Sequence, residues 1–225
     1  MWLTLRRIFV GLLCALMLSV PARADAGGAY VALTFDDGPS GRFTRRLLDG
    51  LKERDVKATF LLCGYRVELY PKEAVRIAAE GHEIGLHGYS HDPMSDMSES
   101  QVTREIQKTA ALLPDEVRFL RPPGGKYNEA TIAAARKAGL AILSWSLDPK
   151  DWASDDATTI TERVVEKVKD GDVILLHDMS DSSVTAALRI IDRLKAKGFR
   201  FVTVSELAKI KGVELEPGKV YTCFQ

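Results

Sequence analysis

Two adjacent carboxylates, Asp36 and Asp37, directly follow an apolar stretch at residues 30–35 and are followed at once by Gly38 and Pro39. Ionised side chains placed side by side repel each other. The arrangement becomes favourable when one carboxylate binds a cation and the other handles a catalytic proton, because the two groups then have different environments. An Asp-Asp pair by itself is usually a solvated turn, so further ligands are needed to support a metal site.

Two of the four histidines, His87 and His91, are separated by three residues. This spacing is within the range that zinc sites use, and imidazole nitrogen with carboxylate oxygen is a common zinc ligand set. Both histidines and one aspartate would bind one divalent ion, for which this ligand set favours Zn²⁺, and would leave one coordination position open. Because Gly88 and Ser90 are weak helix formers, we expect the histidines on a turn after a strand. The alternative interpretation of either histidine is a buried, hydrogen-bonded side chain that binds no metal.

Three further short motifs follow along the chain and form a joint pattern with the first two. They are Arg121-Pro122-Pro123-Gly124-Gly125, Asp148-Pro149-Lys150-Asp151-Trp152 and Leu175-Leu176-His177-Asp178. In this order the five motifs resemble those of polysaccharide deacetylases with a NodB-type domain, carbohydrate esterase family 4, over residues 30–209. The resemblance implies a distorted (β/α) barrel and a metal-dependent hydrolase that removes N-acetyl groups from sugars of peptidoglycan or chitin-like polymers.

The resemblance gives the two aspartates different roles. It makes Asp37 the third metal ligand and Asp36 the catalytic base, with Arg121 paired to Asp36. Chemistry supports the division without deciding its direction, because a base must lie beside the attacking water and must not be used as a ligand. Bound Zn²⁺ lowers the pKa of water to about 7 in favourable sites, so a weak base is sufficient. A surface salt bridge is the alternative interpretation of Arg121.

His177 is the candidate general acid, because an unperturbed imidazole pKa of about 6.5 allows it to protonate a departing nitrogen near neutral pH. By resemblance its partner is Asp151. Such a partner fixes the orientation of the ring and shifts its pKa. The alternative interpretation of His177 is a buried histidine at a strand end. The alternative interpretation of Asp151 is a helix cap.

The remaining site candidates would contact the substrate. Gly124 and Gly125 let the backbone approach closely, so an N–H group in this loop could complete an oxyanion hole. Many relatives carry an aromatic residue at the position of Gly124, and its absence here removes one sugar contact. Trp152 and Leu175 wall an acetyl-binding slot by resemblance, and both are equally compatible with the core. His82 and Asp148 have no assigned role, and we interpret His82 as structural.

Apolar runs bounded by Gly, Pro or polar clusters alternate with amphipathic stretches, the pattern of βα units around a mostly parallel sheet. The predicted strands are residues 30–35, 58–63, 83–86, 119–121, 141–146, 173–176 and 201–204, and the predicted helices are 43–54, 70–80, 98–113, 128–138, 158–169, 184–197 and 204–210. The site candidates fall at strand ends, where the catalytic groups of (β/α) barrels gather. About seven strands favour a distorted barrel of one domain, although an open doubly wound sheet gives similar alternation.

Residues 1–26 have the layout of a secretory signal peptide, with early arginines, an uncharged apolar run at 8–20 and small residues before the cleavage positions. The run is shorter than the ~20 residues that span a bilayer. We therefore expect cleavage before Asp25 or Gly27, export without a stable membrane anchor, and a mature NodB-type domain at 27–225.

The balance of charged residues restricts the kinds of partner that the protein is expected to bind. With 31 basic and 31 acidic residues the formal charge is zero, which gives no indication of nucleic acid or anionic membrane as a partner. We expect a monomer that binds a carbohydrate polymer. Cys63 and Cys223 could form one disulfide after export, but Cys63 lies in an apolar run that favours a buried free thiol.

Three functions are compatible with the motifs. The first is the secreted N-deacetylase. The second keeps the site and changes the substrate, to O-acetyl groups of xylan or to cyclic small-molecule amides, and export disfavours the latter. The third is a catalytically silent carbohydrate-binding protein, against which the presence of a complete acid, base and ligand set argues: Asp36, Asp37, His87, His91 and His177.

Overall fold

The computed structural model describes residues 28–113 and 116–225, in which strands and helices alternate along the chain. The strands are β1 (Ala29–Asp36), β2 (Thr59–Leu62), β3 (Glu83–Leu86), β4 (Phe119–Leu120), β5 (Ala141–Leu143), β6 (Val173–His177), β7 (Phe199–Phe201) and β8 (Val220–Tyr221). The helices are α1 (Arg42–Glu53), α2 (Gly64–Leu69), α3 (Pro71–Ala79), α4 (Glu99–Ala110), α5 (Glu129–Lys137), α6 (Ala157–Val165), α7 (Asp181–Ala196) and α8 (Val204–Ile210). Short 3-10 turns lie at Met94–Asp96, Pro123–Gly125 and Asp151–Ala153.

These strands pair in parallel and form a single sheet. The order is β6-β1-β2-β3-β4-β5-β8, and β7 pairs with the first residues of β1. The wall closes where the chain after β5 returns to β6: the Ser146 N–H donates to the Val173 carbonyl at 3.0 Å, and Leu147 bridges to Ile174. The predicted distorted (β/α) barrel is therefore confirmed, with an irregular segment in its wall between β5 and β6.

Strand β1 lies at the centre of the fold, where neighbouring elements cover both of its faces. Residues Val31 to Asp36 of β1 are buried, as expected for a strand covered on both faces. Helix α1 buries Leu47, Leu48 and Leu51 in the apolar cluster that includes β1. Full burial of such a side chain is worth about 1.5–3 kcal/mol, so the carboxyl end of β1 is a firmly held position.

The predicted elements differ from the structure mainly in short segments. Strand β8 has two residues and helix α2 has six, too few for hydrophobic periodicity to show. Cys63, predicted to end a strand, instead precedes α2. The predicted strand at 201–204 is wrong beyond its first residue: β7 is Phe199–Phe201, because a capping box between Thr203 and Glu206 already starts α8.

Cys63 and Cys223 are both free thiols. Cys63 is fully buried, with its Sγ 3.7 Å from the His87 carbonyl oxygen. Burial raises the pKa of the Cys63 thiol. Of the two alternatives for this residue, the structure has the buried thiol and not the disulfide to Cys223.

Among the described residues, no helix combines the length and the apolar character needed to cross a bilayer. The predicted signal peptide at 1–26 lies outside the described residues.

Asp178, directly after β6, is a carboxylate with no exposed surface. Thr44 of α1 donates a hydrogen bond to its Oδ2, and the Ser40 hydroxyl donates to its backbone carbonyl. Its Oδ1 is buried without a hydrogen-bond partner, and a Cβ added to Gly38 would lie 2.7 Å from it. Burial raises the pKa of Asp178 from 3.8 to about 6. Asp178 thus fastens the segment after β1 to the end of β6.

Replacement of Asp178 by asparagine should change the pH dependence of stability. A carboxyl whose pKa is raised on folding binds its proton more tightly in the folded state, so its contribution to stability falls as pH rises from 3.8 to about 6. A shift of about two units corresponds to about 3 kcal/mol. We expect Asp178→Asn to remove this fall from the free energy of unfolding, measured with urea between about pH 4 and pH 8 in the presence of a chelator. Parallel profiles for the two proteins would contradict the assignment.

Candidate active site

The predicted site residues meet at the carboxyl-terminal face of the barrel. Asp36 ends β1 and lies in register with His177, which ends β6. His87 directly follows β3, and Arg121 directly follows β4. Asp151 lies in the 3-10 turn of the connection from β5 to β6. Residues that are far apart in sequence are therefore brought together by the parallel order of the strands.

Asp37, His87 and His91 form a cluster of three ligand-type side chains. Asp37 Oδ1 lies 3.2 Å from His87 Nε2 and 3.0 Å from His91 Nε2, and the three ligand atoms lie within 4.8 Å of one another. Asp37 and His91 both have left-handed backbone, with φ of 69° and 67°. This conformation costs a non-glycine residue about 1–2 kcal/mol, and here it is adopted by two of the three members of the cluster.

Hydrogen bonding determines which nitrogen of His87 faces this cluster. Its Nδ1 lies 2.7 Å from the Arg121 carbonyl oxygen. A carbonyl only accepts, so Nδ1 carries a hydrogen, and in the neutral ring Nε2 presents a lone pair. The facing atom, Asp37 Oδ1, is buried and accepts no hydrogen bond of regular geometry from the described residues. A carboxylate oxygen and the lone pair of a neutral imidazole repel each other at this distance unless a proton or a metal cation lies between them, so the donor set fits a divalent metal ion.

Asp36 is held by Arg121 in a buried ion pair. Arg121 Nη1 donates to Asp36 Oδ1 at 2.6 Å and to Thr34 Oγ1 at 2.8 Å, while Nε and Nη2 donate to the carbonyls of residues 143 and 144. Arg121 has no exposed surface, which excludes the surface salt bridge. Asp36 Oδ2 lies 3.7 Å from His87 Nε2. One oxygen of Asp36 is therefore occupied, and the other faces the ligand cluster.

His177 is bound to Asp151 through both its ring and its backbone. Nδ1 donates to Asp151 Oδ1 at 2.9 Å, and the backbone N–H donates to Oδ2 at 2.8 Å. Both oxygens of Asp151 are thus used by His177, and a helix cap is excluded. Burial lowers the pKa of His177, but the hydrogen bond and charge of Asp151, with the charges of Asp36 and Asp37, outweigh it and raise the pKa to about 9. The imidazole is protonated at neutral pH, the state that a proton donor needs.

The three predicted substrate-contact residues lie in different environments. Leu175 is buried within β6, and Trp152, beside Asp151, is 65% exposed and so does not belong to the core. Gly124 lies in the turn Pro123–Gly125 with φ of 62°, and a Cβ built there meets no atom within 4 Å. Contact of these residues with a substrate stays a prediction.

Two other residues near the motifs shape the backbone. His82 is buried, its Nδ1 accepts the Ala58 N–H at 3.2 Å, and burial lowers its pKa to about 4. This confirms that His82 is structural. Asp148 Oδ1 accepts the Lys150 N–H at 2.7 Å, and so stabilises the turn that leads to Asp151.

Glu105 lies at the site although its sequence context does not indicate it. This residue of α4 accepts hydrogen bonds from the N–H groups of Tyr89 and Ser90, in the loop between the two histidines. Its position in the sequence is that of an ordinary glutamate on an amphipathic helix, and no motif spacing marks it. Only the tertiary structure brings it to the loop.

Comparisons with known proteins agree with this geometry. A family model described as "Polysaccharide deacetylase" matches residues 23–143, more than half of the chain. A peptidoglycan-N-acetylglucosamine deacetylase of Bacillus cereus is 39% identical over 189 residues, which cover 80% of this chain and 89% of that protein. The peptidoglycan-N-acetylmuramic acid deacetylase PdaC of Bacillus subtilis is 35% identical over 201 residues, which cover 87% of this chain and 42% of PdaC.

A solved structure shows the same fold. The family 4 acetyl xylan esterase from Clostridium thermocellum, in complex with a cobalt ion, matches with a TM-score of 0.81 and 35% identity over 86% of this chain and 98% of the esterase. The barrel and the site at its carboxyl-terminal face are thus those of a class of hydrolases that remove acetyl groups from polysaccharides. The chain belongs to the polysaccharide deacetylase family, which confirms the resemblance found in the motifs.

Removal of the Arg121 guanidinium should strongly destabilise the fold. Arg121→Met leaves Asp36 buried without its cation, and loss of one partner of a buried pair typically costs about 3–5 kcal/mol. We expect a decrease of that size in the free energy of unfolding in urea. The double variant Asp36→Asn, Arg121→Met removes the uncompensated charge and should recover part of the loss. Equal stability of the single and double variants would show that Arg121 does not act through Asp36.

Proposed function

We propose that this polysaccharide deacetylase is a metal-dependent enzyme that hydrolyses N-acetyl groups on sugars of peptidoglycan or chitin-like polymers. The observation that carries the proposal is the juxtaposition of the ligand cluster with a buried carboxylate, Asp36, and a protonated imidazole, His177. Amide hydrolysis needs a cation site, a base and an acid, because the attacking water must be activated and the amine must leave protonated.

The proposed cofactor is one divalent metal ion, Zn²⁺ in first place, held by Asp37, His87 and His91. Two imidazole nitrogens and one carboxylate oxygen form a catalytic zinc set that leaves a position open. The unpartnered Asp37 Oδ1 and the lone pair on His87 Nε2 support this assignment, as does the cobalt ion in the related esterase. When bound, such an ion acidifies a water molecule and polarises the acetyl carbonyl.

Asp36 is the proposed base. Its Oδ1 is bound by Arg121, whereas its Oδ2 faces the ligand cluster and makes no hydrogen bond to the described residues. That oxygen takes the proton of the water that attacks the acetyl carbon. Arg121 fixes the orientation of the carboxylate, so the accepting oxygen needs no rearrangement before the reaction.

His177 is the proposed acid. Because Asp151 binds the Nδ1–H group, the proton available for transfer is on Nε2. As the C–N bond of the acetamide breaks, Nε2 gives this proton to the departing nitrogen, and the products are a free amine and acetic acid, which releases its proton to solvent as acetate. Solvent then returns a proton to His177 and removes the one held by Asp36.

Gly124, Trp152 and Leu175 are the proposed substrate contacts. The exposed face of Trp152 offers an apolar surface with a polar N–H group at its edge, which suits a sugar ring. The open backbone at Gly124 leaves space for an N–H group to approach the developing oxyanion. Leu175 would border the acetyl methyl group.

An O-acetyl esterase acting on xylan is the second candidate, because the acetyl xylan esterase matches over most of both chains. Esters release an alcohol, which depends less on protonation than an amine does. A histidine held protonated by Asp151 therefore favours amide hydrolysis. The third candidate, a catalytically silent carbohydrate-binding protein, is disfavoured because the complete acid, base and ligand set lies at one site.

We further propose that the protein acts outside the cytoplasm as a monomer. The predicted leader at 1–26 supports export, and peptidoglycan is named as the substrate of relatives from two Bacillus species. The candidate ligands, base and acid already meet within one chain, which supports action as a monomer.

Acetyl loss measured by mass spectrometry tests the proposed function. Purified protein is incubated with acetylated chitooligosaccharides, peptidoglycan fragments and acetylated xylan. We expect acetyl loss from one of the first two, abolition by a chelator, and recovery on addition of Zn²⁺. Loss from xylan alone would establish the second candidate, and full activity of protein shown by elemental analysis to be metal-free would refute the metal requirement.

The leaving group should separate the roles of His177 and Asp36. General acid–base catalysis typically contributes about 10²–10⁴-fold, so Asp36→Asn should lose at least about a hundredfold in kcat on an acetamide and on an activated acetyl ester alike. His177→Ala should lose a similar factor on the acetamide and much less on the ester, whose leaving group needs no proton. In the wild type, amide activity should fall as rising pH deprotonates His177. Equal losses of His177→Ala on both substrates would exclude it as the acid.

A further inference from the structure

The loop between the two histidines, residues 87–91, is held on its carbonyl side by α2. The Gly64 N–H donates to the Gly88 carbonyl at 3.0 Å, and the Tyr65 N–H donates to the Tyr89 carbonyl at 3.1 Å. These are the first N–H groups of the helix, which have no partner within it. One side of the loop is therefore fixed by backbone groups alone.

Glu105 of α4 is the acceptor for the N–H side of the same loop. Its Oε2 receives the Tyr89 N–H at 2.7 Å and the Ser90 N–H at 3.0 Å, and the Ser90 hydroxyl oxygen lies 3.2 Å away. One carboxylate oxygen thus fixes two successive peptide units immediately before His91. Hydrogen bonds to an ionised acceptor are about twice as strong as those between neutral groups.

His91 depends on such an anchor more than His87 does. His87 directly follows β3, and the Arg121 carbonyl fixes its ring. The side chain of His91 is 43% exposed, and Asp37 is its polar contact among the described residues. Its left-handed backbone is a conformation that persists only where the surroundings hold it in place.

We propose that Glu105 is a positioning residue for the metal site, holding His91 at the distance from Asp37 at which both bind the same ion. The inference rests on the proposed metal site and assigns no contact between Glu105 and the ion. Loss of a residue that orients a metal ligand typically lowers metal affinity by about 10–100-fold, and Glu105→Ala should raise the metal Kd by that factor.

Titration of metal-free protein with Zn²⁺ against a chelating dye, and with Co²⁺ followed by its absorption spectrum, tests the proposal. Glu105→Gln keeps an acceptor oxygen without the charge and should raise the Kd by about three- to tenfold, less than Glu105→Ala. The matched control is Glu99→Gln on the same helix, because Glu99 pairs with Lys137 and its side chain makes no hydrogen bond to the described residues of the loop. This control should keep the wild-type affinity.

A double-mutant cycle with His91 shows whether Glu105 acts through that ligand. In a His91→Ala background, Glu105→Ala should cause no further loss of metal affinity and no change in the Co²⁺ spectrum. Additive losses, or equal affinities for Glu105→Gln and Glu105→Ala, would overturn the proposal. If Glu105→Ala does not fold, as judged by circular dichroism without metal, wild-type affinity in Glu105→Gln overturns it. Failure of the wild type to bind either ion would instead refute the metal site itself.

Discussion

The buried ion pair between Asp36 and Arg121 is the interaction on which the rest of the site depends. The guanidinium binds β1 through Asp36 and Thr34 and binds two carbonyls at the end of β5. The carbonyl of Arg121 fixes the ring of His87 after β3. Burial of a guanidinium costs several kcal/mol unless its donors are satisfied, and the strand ends satisfy them. The barrel thus positions Arg121, and Arg121 positions both the proposed base and one proposed ligand.

The repulsion between the adjacent aspartates Asp36 and Asp37 is relieved because their carboxylates lie in different environments. Asp36 continues the strand and points its carboxylate to a cation that belongs to the protein. Asp37 leaves the strand with a left-handed backbone, and its Oδ1 faces two imidazoles and accepts no hydrogen bond of regular geometry from the described residues. One charge is therefore compensated by Arg121, and the other lies among the proposed metal ligands. This separation gives two neighbouring residues of the same type different chemistry.

The site residues differ in how their backbone positions are fixed, by the sheet for some and by loop hydrogen bonds for others. Asp36 and His177 end neighbouring strands in register, and their positions follow from the sheet itself. His91 lies on a loop whose backbone receives hydrogen bonds from α2 and donates hydrogen bonds to Glu105 of α4. Related deacetylases and esterases share this barrel, so differences in substrate are expected in the loops rather than in the strand ends.

The sequence by itself determined the alternation of strands and helices, most of their positions and the candidate site residues, because burial periodicity and motif spacing are local properties of the chain. The choice of a barrel over an open sheet came from the resemblance of the motifs to a known family. The sequence did not reveal α2, β8 or Glu105, since two- and six-residue elements show no period and a lone glutamate on a helix has no signature. The tautomer of His87, the closure of the wall after β5 and the anchoring of the 87–91 loop were decided only by the tertiary structure. Each of these depends on hydrogen bonds between segments distant in sequence, whose geometry exists only once the strands are packed.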